Sequence, residues 1–223
     1  MKILLIDDDE NIGQSLKSFI QSKGAILDYE ISARKGLEII ESENYDLLIV
    51  DFALPEINGQ EIIKEIREHN MNLPIIAISV MDQVANKIKL LESGADYFVN
   101  KPFNSEELWA TIKAAQRRSL FKRSNLDNLE YKGLVLDPEK FLVTYKSKKI
   151  ELSAKEFDLL YFLLENQGRV LNRQEILEKV WDRNVDLFTN SIDVHICRIR
   201  EKFNLVGLKD VIKTIKNRGY VVM

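Results

Sequence analysis

The sequence predicts an α/β protein, a doubly wound five-stranded parallel sheet, followed by a smaller α+β domain. Three observations carry this expectation. Across the first 118 residues, short apolar runs alternate five times with helical patterns, the signature of a parallel sheet wrapped on both faces. The 223 residues suit two domains of roughly 100–120 residues each. Charge is divided between the halves: residues 1–118 hold 13 Lys and Arg against 20 Asp and Glu, whereas residues 119–223 hold 19 against 15. An acidic half joined to a basic half suggests two tasks, the second on nucleic acid.

Composition excludes several classes. No apolar run approaches the roughly 20 residues of a membrane helix, and the amino terminus meets acid at Asp7, so it reads as a strand rather than a signal peptide. The one cysteine, Cys197, cannot close an internal disulfide, and no Cys/His spacing suits a metal. A reducing cytoplasm is the expected location.

In chain order, residues 2–6 form an apolar strand that ends in Asp7, Asp8 and Asp9. Ile12, Leu16, Phe19 and Ile20 then follow helical spacing to a stop at Lys23-Gly24. Weaker strand and helix patterns occupy 26–31 and 33–42. Leu47 to Val50 is too short an apolar run for a helix and reads as a strand buried on both faces, delivering Asp51 at its end. A helix follows from Gly59 to about His69, then a strand at 75–79 ending in Ser79. A helix over 83–93 stops at Gly94. The fifth strand, 97–100, leads into Lys101-Pro102-Phe103 and a last helix from Ser105.

Right-handed crossovers bring the strand ends Asp7, Asp8, Asp51, Ser79 and Lys101 to one edge of the sheet, where open α/β sheets bind ligands. Alone, each residue has a bland reading: Asp51 as a turn residue, Lys101 as a solvated cation. Together they offer a carboxylate nucleophile, carboxylates that a hard cation such as Mg²⁺ would reconcile, a fixed positive charge and a hydroxyl donor. Phosphoryl transfer needs that set.

Ile6-Asp7-Asp8, Val50-Asp51, Leu54-Pro55 with Gly59, Ser79, Gly94-Ala95-Asp96 and Lys101-Pro102-Phe103 resemble a bacterial two-component receiver domain over about residues 1–118. The resemblance implies a flavodoxin-like sheet of order 2-1-3-4-5, an order for which the receiver fold is itself a standard example. It further implies Asp51 as phosphate acceptor; Asp8, Asp7, Asp51 and the Ala53 carbonyl as the Mg²⁺ site; and Ser79 and Lys101 as holders of phosphoryl oxygens. Phe98 stands where relatives have the switch tyrosine, and would act with Ser79 without a hydroxyl. Dimerisation across the fourth and fifth helices and the fifth strand would pair Lys87 with Glu107 and Asp96 with Arg118. A third expected pair is replaced on both sides, by Tyr97 and Thr111.

Residues 119–128 read as a linker without Pro or Gly. The second domain, 129–223, opens with strands at 134–136 and 141–145. Ser153 to Glu156 is a capping box for a helix carrying Phe157, Leu160, Tyr161 and Leu164. Asn172 caps a helix ending near Trp181, residues 182–189 form a loop, and a third helix spans about 190–203. Strands at 211–214 and 219–222 close a hairpin. Three helices and a terminal hairpin predict a winged helix. Ile192, Ile196, Ile199 and Phe203 mark the third helix's buried face, leaving Asn190, Val194, Cys197, Arg198 and Glu201 opposite. Arg198 then suits a guanine edge and Val194 a thymine methyl; His195, Arg200 and Lys202 would reach phosphates, and Lys216 and Arg218 an adjacent minor groove.

Leu152-Ser153 with Glu156-Phe157, Val170 to Arg173, Val180-Trp181, Ile192 to Ile196 and Gly219-Tyr220 resemble the OmpR/PhoB-type DNA-binding domain. Asn190 and Cys197 stand where many relatives carry Arg. The resemblance implies a response regulator that is not an enzyme. It would be phosphorylated by a sensor histidine kinase, bind promoter DNA as a homodimer, and turn the 182–189 loop toward RNA polymerase. A phosphorylation-independent winged-helix factor, its receiver used mainly to dimerise, is the alternative. A phosphatase using Asp51 lacks a visible substrate pocket and a separate acid or base. Against an adaptor whose winged helix binds protein, a steep salt dependence of binding to duplex DNA would favour the regulator.

Overall fold

The structure is a computed structural model that describes all residues except 56, 71, 81–92, 121–126 and 182–189, and the side chains of 117–120, 190 and 191. It divides into two compact units, Met1–Arg118 and Ser119–Met223. The helix expected over 83–93, the loop at 182–189 and most of the expected linker lie outside the described residues.

In the first unit, β1 (Lys2–Ile6), β2 (Ile26–Glu30), β3 (Leu47–Asp51), β4 (Ile75–Ser79) and β5 (Tyr97–Asn100) form one parallel sheet of order β2-β1-β3-β4-β5. Leu47, Leu48, Ile49 and Val50 are wholly buried, as are Ile3 to Ile6 and Ile75 to Ile78. Each such aliphatic side chain contributes about 1.5–3 kcal/mol of transfer free energy, which fixes these runs at the centre of the sheet. Around it stand α1 (Glu10–Ser22), α2 (Ala33–Ser42), α3 (Gly59–His69) and α4 (Ser105–Leu120).

Local chemistry sets where the helices begin. Asp9 caps α1, accepting from the amides of Asn11 and Ile12 at 2.9 and 3.4 Å. That separates Asp9 from Asp7 and Asp8: one acid of the three is a cap, and two remain at the sheet edge. Asn58 caps α3 by accepting from the Gln60 amide at 3.0 Å. The next residue must be glycine, because a Cβ on Gly59 would lie 2.5 Å from the Asp51 carbonyl oxygen and 2.7 Å from the Phe52 Cα. The first turn of α3 is thereby pressed against the end of β3.

A buried ion pair fastens the opposite end of the sheet. Arg67 of α3, 6 % exposed, donates from Nη2 to Asp96 Oδ2 at 2.6 Å, from Nε to the Gly94 carbonyl at 2.9 Å and from Nη1 to the Leu73 carbonyl at 2.5 Å. Asp96, 2 % exposed, also accepts from the Ile75 amide at 2.9 Å.

The second unit opens with an antiparallel meander of β6 (Leu129–Tyr131), β7 (Leu134–Asp137), β8 (Leu142–Tyr145) and β9 (Lys148–Ile150). The sequence indicated only the middle two, since three-residue strands leave no measurable alternation. The capping box opens α5 (Ala154–Glu165): the Ser153 Oγ accepts from the Glu156 amide, and Glu156 Oε2 accepts from the Ser153 amide at 2.8 Å. Asn172 caps the short α6 (Arg173–Ile176), which continues as a π-helical turn to Trp181. Then come α7 (Asn190–Leu205) and the hairpin β10 (Ile212–Ile215) to β11 (Gly219–Val222). Leu171 and Tyr220 exchange backbone hydrogen bonds at 2.8 and 2.9 Å, joining the hairpin to the residue before the Asn172 cap. Gly219, at φ +141°, passes so close that an added Cβ would lie 1.9 Å from the Leu171 carbonyl oxygen.

Candidate functional site

Because the strands of the first unit are parallel, they present their carboxyl ends together. Asp7 follows β1, Asp51 ends β3, Ser79 ends β4 and Lys101 follows β5. The structure brings the acids and the lysine into one cluster at that edge, with the Ser79 backbone beside Lys101. Lys101 Nζ lies 2.5 Å from Asp51 Oδ2 and 2.8 Å from Asp7 Oδ2. Carboxylate oxygens of Asp7, Asp8 and Asp51 fall within 4.8 Å of one another. Asp7 and Asp51 are buried at 1 % and 4 % exposure, while Asp8 faces solvent. The Ala53 amide holds Asp51 Oδ1 at 2.9 Å, and the Asp9 amide holds Asp7 Oδ1 at 3.0 Å. Each of the two buried acids therefore has one oxygen fixed by backbone and the other facing the lysine. Ser79 is buried at the end of β4, and its carbonyl accepts from the Lys101 amide at 2.9 Å, so the backbones of the two residues adjoin. Phe98 packs into the core beside Leu54, Ala77 and Ala95.

Burial raises the Asp7 carboxyl above its ordinary range, with the Lys101 ammonium opposing. A raised native value means that the protonated acid favours the fold in acid solution. That contribution is lost as pH rises through the raised value, so at neutral pH the ionised Asp7 is a cost. For Lys101, burial alone would depress the ammonium, but its hydrogen bonds to Asp51 and Asp7 outweigh this and leave it raised. The lysine's contribution is present up to its ordinary range and is lost only in strong alkali. Two carboxylates contact one ammonium and a third, Asp8, lies beside them toward solvent; an all-oxygen cluster of this size and excess charge fits a hard divalent cation.

The expected dimer residues divide. Lys87 lies outside the described residues, as does the Arg118 side chain, and Glu107 is exposed. Asp96 does not sit on an outer face. It is committed to Arg67 inside the unit, because a carboxylate at 2 % exposure needs an interior partner.

In the second unit the third helix departs from the sequence expectation. Val194 is only 7 % exposed and His195 is fully buried, its ring centre 5.2 Å from that of Trp181. Neither is placed to touch DNA. The helix is covered on two sides, by α5 and by the turn carrying Trp181, so its buried arc takes in Ile192, Val194, His195, Ile196, Ile199 and Phe203. Cys197, Glu201, Asn204 and Leu205 are exposed. Arg198 and Lys202 turn toward the buried Glu156, at 3.7 and 2.5 Å. Arg200 donates to the Ile212 carbonyl at 2.8 Å and the Thr214 hydroxyl at 2.9 Å. Lys216 and Arg218 are exposed on the hairpin turn, as expected, and Lys213 and Thr214 join them on β10.

Sequence reasoning also missed the cluster of Arg173, Asp193 and Tyr220. Arg173 donates to Asp193 Oδ1 at 2.9 Å, and the Tyr220 hydroxyl donates to the same oxygen. Burial and that hydrogen bond push the Tyr220 hydroxyl up to about 12. Helix α6, helix α7 and the hairpin thus share one polar joint. No sequence period announces it, since the three residues belong to three elements.

Residues 3–113 match the response regulator receiver domain, and residues 147–222 match the C-terminal domain of transcriptional regulatory proteins. The chain is 37 % identical over 221 residues to the response regulator ArlR of Staphylococcus saprophyticus, covering 99 % of this chain and 98 % of that protein. Among solved structures, a cysteine-to-serine mutant of RitR superposes with a TM-score of 0.82 at 26 % identity, over 100 % of this chain and 98 % of that one. DrrB of Thermotoga maritima, described as an OmpR/PhoB homologue, gives 0.51 at 31 % identity over the same shares.

Proposed function

Because the chain belongs to the response regulators that join a receiver to an OmpR/PhoB-type DNA-binding domain, and so regulates transcription in a two-component system, we propose that Asp51 is its phosphate acceptor and that phosphorylation there controls promoter binding. The observation that carries this reading is the contact of Lys101 with both Asp51 and Asp7 at the sheet edge.

Asp51 Oδ2 attacks the phosphorus of a phosphohistidine on a sensor kinase. The O–P bond forms, the N–P bond breaks, and the imidazole leaves with the electron pair. Lys101 moves from the carboxylates to the phosphoryl oxygens, and the Ser79 hydroxyl donates to one of them. Asp7, Asp8, Asp51 and the Ala53 carbonyl would hold Mg²⁺, which supplies positive charge against the phosphoryl oxygens when bound. Beside Lys101 a groove of about 580 Å³ is lined by Ile12, Leu16, Val80 and Phe103, and Val80 is 70 % exposed. A donor helix from the kinase would rest there. Movement of Ser79 and Phe98 then remodels the receiver face through which two copies pair, placing two winged helices on adjacent half-sites. Of the expected ion pairs only Lys87 with Glu107 remains for that face. The 182–189 segment would meet RNA polymerase, and the setting is the cytoplasm; no described helix is long and apolar enough to cross a membrane. A receiver used only for pairing leaves the acid–lysine pocket without a task, so the phosphorylation-independent alternative is not favoured.

Two measurements test the reading. Beryllofluoride with Mg²⁺ is expected to shift the protein toward dimer in gel filtration and to tighten its footprint on target DNA. An unchanged footprint would remove the switch. Asp7→Asn relieves the like-charge crowding. It should raise the melting midpoint of the cation-free first unit by roughly 4 °C, the response of a unit of this size to about 1 kcal/mol, and abolish most of the further rise given by saturating Mg²⁺. A fall in the cation-free midpoint would show that the ionised acid stabilises the fold through Lys101.

A further inference from the structure

A nucleic-acid-binding helix ordinarily presents its cations outward, yet the three on α7 are used within the fold. Lys202 Nζ sits 2.5 Å from Glu156 Oε2, and Arg198 Nη1 lies 3.7 Å from Glu156 Oε1. Glu156 is 1 % exposed and is also the reciprocal partner in the α5 capping box, so it cannot follow its cations toward solvent. Drawing Lys202 away would leave the buried carboxylate with only the longer Arg198 contact and the capping-box amide, at greater cost than one surface phosphate contact returns. Arg200 is spent differently. Its guanidinium bonds the Ile212 carbonyl through Nε and Nη2, at 3.2 and 2.8 Å, and the Thr214 hydroxyl at 2.9 Å. It holds β10 against α7.

The hairpin has the opposite character. Lys213, Lys216 and Arg218 are all exposed and form no ion pair with any described residue. Two of the three flank the turn at Asn217, which adopts φ 59°. The exposed α7 face carries, among the described side chains, Cys197, Glu201 and Asn204, which is neutral to acidic. Such a face adds no attraction for phosphate. It can still discriminate bases, since a carboxylate accepts from the cytosine amino group and an asparagine pairs with adenine.

We infer that the hairpin supplies the charge with which this domain grips a phosphate backbone, and that Glu156 and β10 withhold the cations of α7 from it. The inference rests on the DNA-binding reading above and assigns affinity and base discrimination to different elements within it.

Salt titration of binding counts phosphate contacts directly, each worth about 0.9 in the slope of log K against log salt on duplex DNA. The full chain, with beryllofluoride and Mg²⁺, is titrated from about 50 to 200 mM salt against a fluorescein-labelled mixed-sequence duplex. Lys213→Gln, Lys216→Gln and Arg218→Gln combined alter only exposed residues and should flatten the slope by about 2.7, the loss of three contacts. Glu156→Gln, Arg198→Gln and Lys202→Gln combined neutralise the buried cluster together. A glutamine keeps the capping box, no charge is stranded, and the wild-type slope is expected. A flattening by about 1.8 in the cluster variant, or a wild-type slope in the hairpin variant, overturns the inference while leaving DNA binding intact. Wild-type protein whose binding ignores salt would instead bring down the DNA-binding reading itself.

Discussion

Asp51→Asn is expected to reduce covalent phosphate uptake from acetyl phosphate to background, read as loss of the phosphorylated species in intact-protein mass spectrometry. The substitution is nearly isosteric. The Ala53 amide can still donate to the side-chain oxygen it now holds at 2.9 Å, so the fold should survive while the nucleophile is lost. Lys101→Met should act differently. The nucleophile remains, but the fixed charge that faces the phosphoryl oxygens is gone, and the initial rate should fall by about 10²–10³, the usual effect of removing one preorganised electrostatic partner. Equal phosphate uptake by Asp51→Asn and wild type would move the acceptor elsewhere, and the geometry at Lys101 would then need another explanation.

The largest stability effect is expected at Arg67. Arg67→Met takes the guanidinium away from the buried carboxylate of Asp96, 2 % exposed, and from the Leu73 and Gly94 carbonyls. Breaking one side of a buried pair costs about 3–5 kcal/mol. Each unit contains a single tryptophan, Trp109 in the first and Trp181 in the second, so fluorotryptophan signals during urea unfolding separate the two transitions. The first should shift strongly and the second hardly at all. Adding Asp96→Asn should recover part of the loss, because the buried negative charge disappears while an acceptor for the Ile75 amide is kept. A single-variant cost below about 1 kcal/mol would place Asp96 among surface ion pairs.

These two sites show what a sequence discloses. Asp51 was legible because β3 is a run of buried aliphatics with an acid at its end, and parallel topology turns strand ends into neighbours. Arg67 was harder to see. It falls four residues after Ile63, on the apolar arc of α3, and a charge in that position implies an interior partner; only the fold identifies Asp96, 29 residues away. The α7 misreading has a related cause. Four apolar residues define a face only when a helix is covered from one direction, whereas contacts from α5 and Trp181 bury Val194 and His195 as well. The three-residue strands β6 and β9 were invisible because pairing partners, not their own residues, make them strands.

The near-contact of Gly219 with the Leu171 carbonyl limits how such a molecule can change its hold on DNA. Seam and socket are welded at the root of the hairpin, and any side chain larger than hydrogen would pry them apart. Freedom to vary therefore lies at the far end, around Lys216 to Arg218, where nothing else is anchored. The strength of the grip on DNA would be retuned from the tip inward, with the root as the fixed pivot, while the choice of operator stays with α7.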